Sequence, residues 1–180
     1  MKTNQKIVLF VALEEEIPVG SVKFPVVYMG IGKVNAAVSL MKWLWEHKDE
    51  GLSNYLILNA GTAGSATWEI GTILCPDTFD NGGDKMVFDS ISLGSSNITC
   101  RSSDDFISFG DDATDEQKKL KLSYDCFEME AYALSRICAE FKLKFSAVKL
   151  VSDNLKETVK DWEERIESIR PTLIDFINNL

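Results

Sequence analysis

The sequence predicts an α/β domain in three layers, a central mixed β-sheet with helices on both faces. Two observations carry this. Short apolar runs of strand length alternate along the chain with segments of helical period, and one glycine-rich excursion favours a hairpin between them. Neither a repeat nor a linker breaks the pattern, so residues 1–180 are read as a single domain, long enough to bury a substantial core.

Residues 6–13 form a continuous apolar run, as expected of a strand covered on both faces, and it ends in Glu14, Glu15 and Glu16. Pro25 to Met29 is a second strand and leads into Gly30-Ile31-Gly32-Lys33. A helix follows from Val34 to Lys48, with Val34, Ala37, Val38, Met41, Leu44 and Trp45 as its expected buried stripe. Asn54 to Asn59 is a third strand, opening into a Gly61-Thr62-Ala63-Gly64 turn. Gly71 to Cys75 and Lys85 to Ile91 are expected to be strands of a hairpin-like excursion through Asn81-Gly82-Gly83. Asn97 to Arg101 is a further short strand. The polar stretch from Ser108 to Lys121 is loop-like, with one helical turn at Asp115–Leu120.

The stretch FEMEAYALSRICAE, residues 127–140, joins a strand over Ser123 to Phe127 to a helix whose apolar face is Ala133, Leu134, Ile137, Cys138 and Phe141. Glu128 and Glu130 at that junction either complement the helix dipole or bind a ligand at a strand end. Phe145 to Val151 is the next strand. In the C-terminal helical region Val159, Trp162, Ile166, Ile169, Leu173 and Phe176 keep helical spacing, and Pro171 implies a kink or a second helix.

Composition narrows the function. A net charge of −9 argues against nucleic acid or an anionic membrane as the main partner. The apolar run at Ile7 to Leu13 is short for a signal peptide and is followed by glutamates where a cleavage site belongs. No stretch approaches the ~20 apolar residues that span a bilayer. Cys75, Cys100, Cys126 and Cys138 form no C-x-x-C pair and His47 is the only histidine, so no metal site is expected. Free thiols in a reducing cytoplasm are the expectation. Acid–base chemistry must then come from carboxylates.

Those carboxylates sit at strand ends, among glycine turns that admit close backbone approach to a ligand. Taken in order, EEE, GIGKVNAA, NAGTAG, FEMEA and VSDN resemble the nucleoside phosphorylase/nucleosidase superfamily, most nearly its 5′-methylthioadenosine/S-adenosylhomocysteine nucleosidase branch. The resemblance spans residues 6–156, with the region between Cys75 and Phe127 shortened. It implies that Glu16 activates the attacking water and that Asp153, beside Ser152, protonates the purine. It implies Met129 packed on the sugar, Glu130 holding the ribose hydroxyls, and Thr62, Ala63 and Gly64 lining ribose and base. Phe106 would stack on the purine, and Ile107 would offer backbone groups to its edge. No cofactor and a homodimer are further implications.

The chemistry agrees with the residue types. N-glycosidic cleavage needs a protonated leaving base, an oxocarbenium-like sugar and an activated water. Two carboxylates supply this when one stays protonated, as burial would favour for Asp153, and the other accepts a proton. The first arginine is Arg101, and Lys33 alone is a poor substitute for the bidentate donors of a phosphate site. The expected activity is hydrolysis of a purine nucleoside such as 5′-methylthioadenosine or S-adenosylhomocysteine. The alternatives are a futalosine hydrolase, a purine nucleoside phosphorylase, and a nucleoside-binding protein without turnover. Tyr132 and Leu134 replace smaller residues of the family's helix, and Tyr132 either narrows the pocket or fills space.

Overall fold

The computed structural model describes residues 5–82, 91–92, 94, 96–110, 112–156 and 158–180. Its sheet is built outward from one parallel pair. β3 (Tyr55–Gly64) lies beside β9 (Lys144–Asp153) from Leu56↔Lys144 to Gly64↔Asp153, and beside β1 (Lys6–Val11) on its other edge. β2 (Val26–Tyr28) extends β1 in parallel, and β4 (Ile73–Leu74) pairs antiparallel with β9. The far end of β3 meets β8 (Cys126–Glu128) antiparallel at Gly64↔Phe127. From β8 the sheet continues in parallel through β7 (Thr99–Ser102) to β5 (Thr78–Asp80), then antiparallel to β6 (Ile91–Ser92). The sheet is therefore mixed, as expected.

Period-two alternation sends the strand side chains to two different helical layers. Val8 and Phe10 of β1, with Tyr55 and Ile57 of β3, pack against α1 (Lys33–Glu46) and α3 (Ala131–Glu140). Leu9, Val11, Leu58 and Ala60 point the other way, onto Leu173 and Ile177 of α4 (Val159–Asn178). The last helix, α2 (Asp115–Lys121), is short and starts with a capping box between Thr114 and Gln117.

Four expectations change. The AGTAG stretch is not a turn: β3 runs through it to Gly64, with a register shift at Ala63/Gly64. The hairpin pairs Thr78–Asp80 with Ile91–Ser92, whereas Ile73–Leu74 pairs with β9; most of Lys85 to Ile91 lies outside the described residues. Pro171 lies inside one continuous helix, α4, which removes the two-helix alternative and leaves the kink as the expectation. In α1 the buried residues are Ala36, Leu40, Trp43 and Leu44, while Val34, Val38, Met41 and Trp45 are exposed. That helix is apolar on two sides, and periodicity could not say which side faces the sheet.

Leu173 is fully buried between α4 and the sheet. Leu173→Ala is expected to cost about 2–5 kcal/mol in urea unfolding, whereas Leu180→Ala at the exposed end of the chain should change stability by less than about 0.5 kcal/mol.

Candidate active site

β1, β3 and β9 are adjacent and parallel, so their carboxyl ends come together at one edge of the sheet. In open α/β sheets this is where ligands bind. Here the edge opens into a cavity of about 300 Å³. Glu16 enters it from the turn after β1, Thr62, Ala63 and Gly64 from the end of β3, and Ser152 and Asp153 from the end of β9. Met129 and Glu130 come from the β8–α3 junction, and Phe106 and Ile107 from the loop after β7. All ten residues singled out from the sequence line this one cavity.

Glu16 is buried and held on three donors. Its Oε1 accepts from Thr62 N at 2.7 Å and Thr62 Oγ1 at 2.8 Å, and its Oε2 from Leu13 N at 3.3 Å. Burial pushes this carboxyl above its usual range, and the Thr62 N–H and Lys149 only partly oppose that. The glycine of GTAG that faces it is required by space: a Cβ on Gly61 would lie 2.9 Å from Glu16 Oε1. Gly64 does the same for Asp153, whose Oδ1 would stand 2.6 Å from an added Cβ. Asp153 itself accepts from Ser152 Oγ at 2.8 Å and from Leu155 N at 3.0 Å.

The two glutamates of FEMEA have separate tasks. Glu128 Oε2 accepts from Glu130 N at 2.9 Å and Ala131 N at 2.8 Å, so it satisfies two of the free N–H groups that open α3. The third, Tyr132 N, goes to Ser102 Oγ at 2.8 Å, and that hydroxyl in turn donates to Glu128. Lys149 Nζ pairs with Glu128 at 2.9 Å, both side chains 1% exposed. Burial would raise the Glu128 carboxyl, but Lys149 and these donors bring it below its ordinary value. Lys149 stays charged for the matching reason: burial works against it, and Glu128 and Glu130 raise its pKa.

Glu130 is the open one. Its Oε1 accepts from Gly32 N at 2.8 Å, at the start of α1. Burial first, then the neighbouring Glu128 carboxylate, push it up to about 7, against the pull of Lys149 and the Gly32 N–H. Tyr132 does not narrow the cavity; it is buried in the core with Phe79, Cys100 and Cys126.

Sequence reasoning missed two residues. Lys149 lies in the apolar run of β9, where a single lysine gave no signal. Trp162 was read as part of a core stripe, yet it lines the cavity and donates through Nε1 to Thr62 Oγ1 at 3.0 Å. The lining contains Glu16, Glu128, Glu130, Asp153, Asp105 and Glu163, and no lysine, arginine or histidine among the described residues. Lys33 is turned away, onto Asn81 O at 2.8 Å and Asp104 at 3.2 Å. No group of three or more metal-ligating side chains occurs among the described residues, and none of their helices is long and apolar enough to cross a membrane.

The fold is that of the nucleoside phosphorylase-like nucleosidases, a three-layer α/β/α arrangement around a mixed sheet. Among solved structures the chain is similar to a putative 5′-methylthioadenosine/S-adenosylhomocysteine nucleosidase from Francisella philomiragia, with a TM-score of 0.76, 16% identity and 97% of each chain covered. It is also similar to the Neisseria meningitidis nucleosidase in complex with methylthio-immucillin-A, with a TM-score of 0.74, 16% identity and 98% of this chain and 100% of that chain covered. Futalosine hydrolase of Helicobacter pylori gives a TM-score of 0.72 at 17% identity over 98% of this chain and 97% of that one. No protein-family model matches the chain, and no curated protein matches it.

The raised Glu130 carboxyl has a consequence for stability. Between the unfolded value near 4.3 and about 7 the folded chain binds more protons than the unfolded one, so stability falls as pH rises through that window. Glu130→Gln keeps an acceptor for Gly32 N and removes the charge. The variant is expected to melt at least ~3 °C above the parent at pH 8 and within ~1 °C of it at pH 4.5. A melting-temperature difference that does not change with pH would show that the carboxyl is not perturbed.

Proposed function

We propose that this chain is a hydrolase of purine nucleosides, cleaving the N-glycosidic bond with water. The observation that carries the reading is the pairing of two buried carboxylates, Glu16 and Asp153, across one cavity that also holds Glu130 and lacks any cationic lining residue among those described. Water is the nucleophile in this scheme: its oxygen adds to the anomeric carbon and its proton passes to Glu16. The bond to the base breaks as Asp153 delivers a proton to the purine. Glu130 holds the ribose hydroxyls, Met129 packs on the sugar, and Phe106 stacks on the base. The acidic surroundings favour the positive charge that develops on the sugar. The same surroundings disfavour phosphate as the nucleophile, since no arginine or lysine faces the cavity.

The mouth points to the class of nucleoside. Ile31, Phe106 and Val159 are exposed there beside Asp105 and Glu163. Apolar surface edged by carboxylates suits an uncharged 5′ substituent, such as a methylthio group, better than one carrying a carboxylate. Purified protein would be incubated with methylthioadenosine, S-adenosylhomocysteine, futalosine, adenosine and inosine, with and without phosphate, and free base measured. Release without phosphate, with methylthioadenosine highest in kcat/KM, is the expected result. No base from any of them overturns the hydrolase reading, and strict dependence on phosphate overturns the choice of nucleophile. Asp153→Asn and Glu16→Gln should each slow turnover by at least ~10²-fold.

We also propose a homodimer. An apolar surface that suits it is on α1, where Val34, Val38, Met41 and Trp45 continue the line of Ile31 at the cavity mouth. Val38→Asp is expected to shift the chain from dimer to monomer in sedimentation velocity, with its circular dichroism unchanged. A parent chain that sediments as a monomer at micromolar concentration would sink this proposal.

A further inference from the structure

α4 reaches the site twice in one turn. Trp162 Nε1 donates to Thr62 Oγ1 at 3.0 Å, and Arg165 donates to Ser152 O at 2.7 Å. The first contact decides where a proton sits. An indole N–H can only donate, so Thr62 Oγ1 is the acceptor in that bond. The hydroxyl's own hydrogen is then left for Glu16 Oε1, 2.8 Å away. A threonine hydroxyl without such a neighbour can rotate and accept from a protonated carboxyl instead. Here the indole already occupies one of the oxygen's two lone pairs, so donation to Glu16 is favoured over acceptance.

We propose that Trp162 is a positioning residue: its indole N–H biases the Thr62 hydroxyl towards donating to Glu16, and so favours that carboxylate aimed and ionised to receive a proton. Packing alone does not require the N–H. Trp162 is half-buried, and a phenylalanine ring would cover the same wall of the cavity. The relay also works against burial, which drives Glu16 towards its protonated form, while the Thr62 hydroxyl and N–H pull the other way. The other charges around Glu16 are Lys149, which favours ionisation, and Glu130, whose own carboxyl the Glu16 charge helps to raise. Glu128, Asp153, Asp105 and Glu163 complete the charged lining of the cavity. None of these is altered by a substitution at Trp162.

The catalytic half of this inference rests on Glu16 as the base in the hydrolase reading, and the titration half does not. The test follows the Glu16 carboxyl by ¹³C NMR in the full chain, identified by the loss of its signal in Glu16→Gln. Trp162→Phe is expected to raise the midpoint by about half a unit. Thr62→Ser, which keeps the hydroxyl, should retain that response to Trp162→Phe, whereas in the Thr62→Val background Trp162→Phe should add no further shift. In the unsubstituted chain the Trp162 indole proton resonance should move with the same midpoint as Glu16, a readout that needs no variant to fold. If base release is observed, the acidic limb of kcat/KM should move up with the carboxyl in Trp162→Phe. An unchanged midpoint, a shift that persists with Thr62→Val, or an indole proton indifferent to pH overturns the proposal. Absence of base release with the NMR shifts intact would overturn the hydrolase reading and leave the relay standing.

Discussion

Among the described residues Lys149 is the single buried cation, and it acts on three buried carboxylates, Glu128, Glu130 and Glu16. An ion pair placed this deep is weak evidence for stability, because removing both charges from water costs about as much as their attraction returns. Its value here is positional. Glu128 is fixed by Lys149 on one side and by the first N–H groups of α3 on the other. That fixes where α3 starts, and hence where Glu130 emerges beside the first turn of α1. A strand, two helix starts and one carboxylate are thereby set by one pair of charges. Either charge without the other would be stranded with almost no exposure to solvent.

The remaining negative charge is what gives the cavity its character. Lys149 settles Glu128, and Glu130 is left with too little compensation, so its carboxyl rises to about 7. At that value the Glu130 carboxyl is half-protonated near neutral pH. A ligand offering hydroxyl hydrogens would favour the ionised form and recover part of the burial cost on binding. Glu16 is placed under similar pressure and its carboxyl is raised too, with burial opposed by the Thr62 donors, Lys149 and the Leu13 N–H. A site built this way favours positive charge and disfavours anions.

Much of this was legible in the sequence, and the reason is topological. Strand ends in an α/β sheet collect at one edge, so the motifs after β1, β3, β8 and β9 could be assigned to one place without knowing any distance. The two apolar faces of the sheet followed from alternation. What was hidden depends on which side of an element faces inward. Val34, Val38, Met41 and Trp45 match helical spacing as well as Ala36, Leu40, Trp43 and Leu44 do, and only the packing distinguishes them. AGTAG looks like a turn because it is rich in glycine, but Gly61 and Gly64 serve two carboxylates crowding an extended strand. Lys149 was invisible because a lysine inside an apolar strand needs an unseen partner, here 21 residues upstream in Glu128. Trp162 was hidden by its ring, which satisfies the core pattern of α4 while its N–H serves the site.

The order of the site residues along the chain adds a last constraint. Glu16, Thr62 and Asp153 come from strands that become neighbours only when β1 and β9 have closed on β3. These are long-range parallel pairings, whose loops must be closed before the contacts can offset the lost entropy. The carboxylates therefore cannot be gathered in a partly folded chain, where their mutual repulsion would be unopposed by Lys149. α4 comes last in sequence and ties both sides of the site at once, through Trp162 to Thr62 and through Arg165 to Ser152. The final helix thus has a second duty besides covering Leu58, Ala60 and Leu150: it ties the Thr62 and Ser152 sides of the cavity to one element. A chain ending before Trp162 would keep Glu16, Glu128, Glu130 and Asp153 and lose the contacts that hold those edges in place.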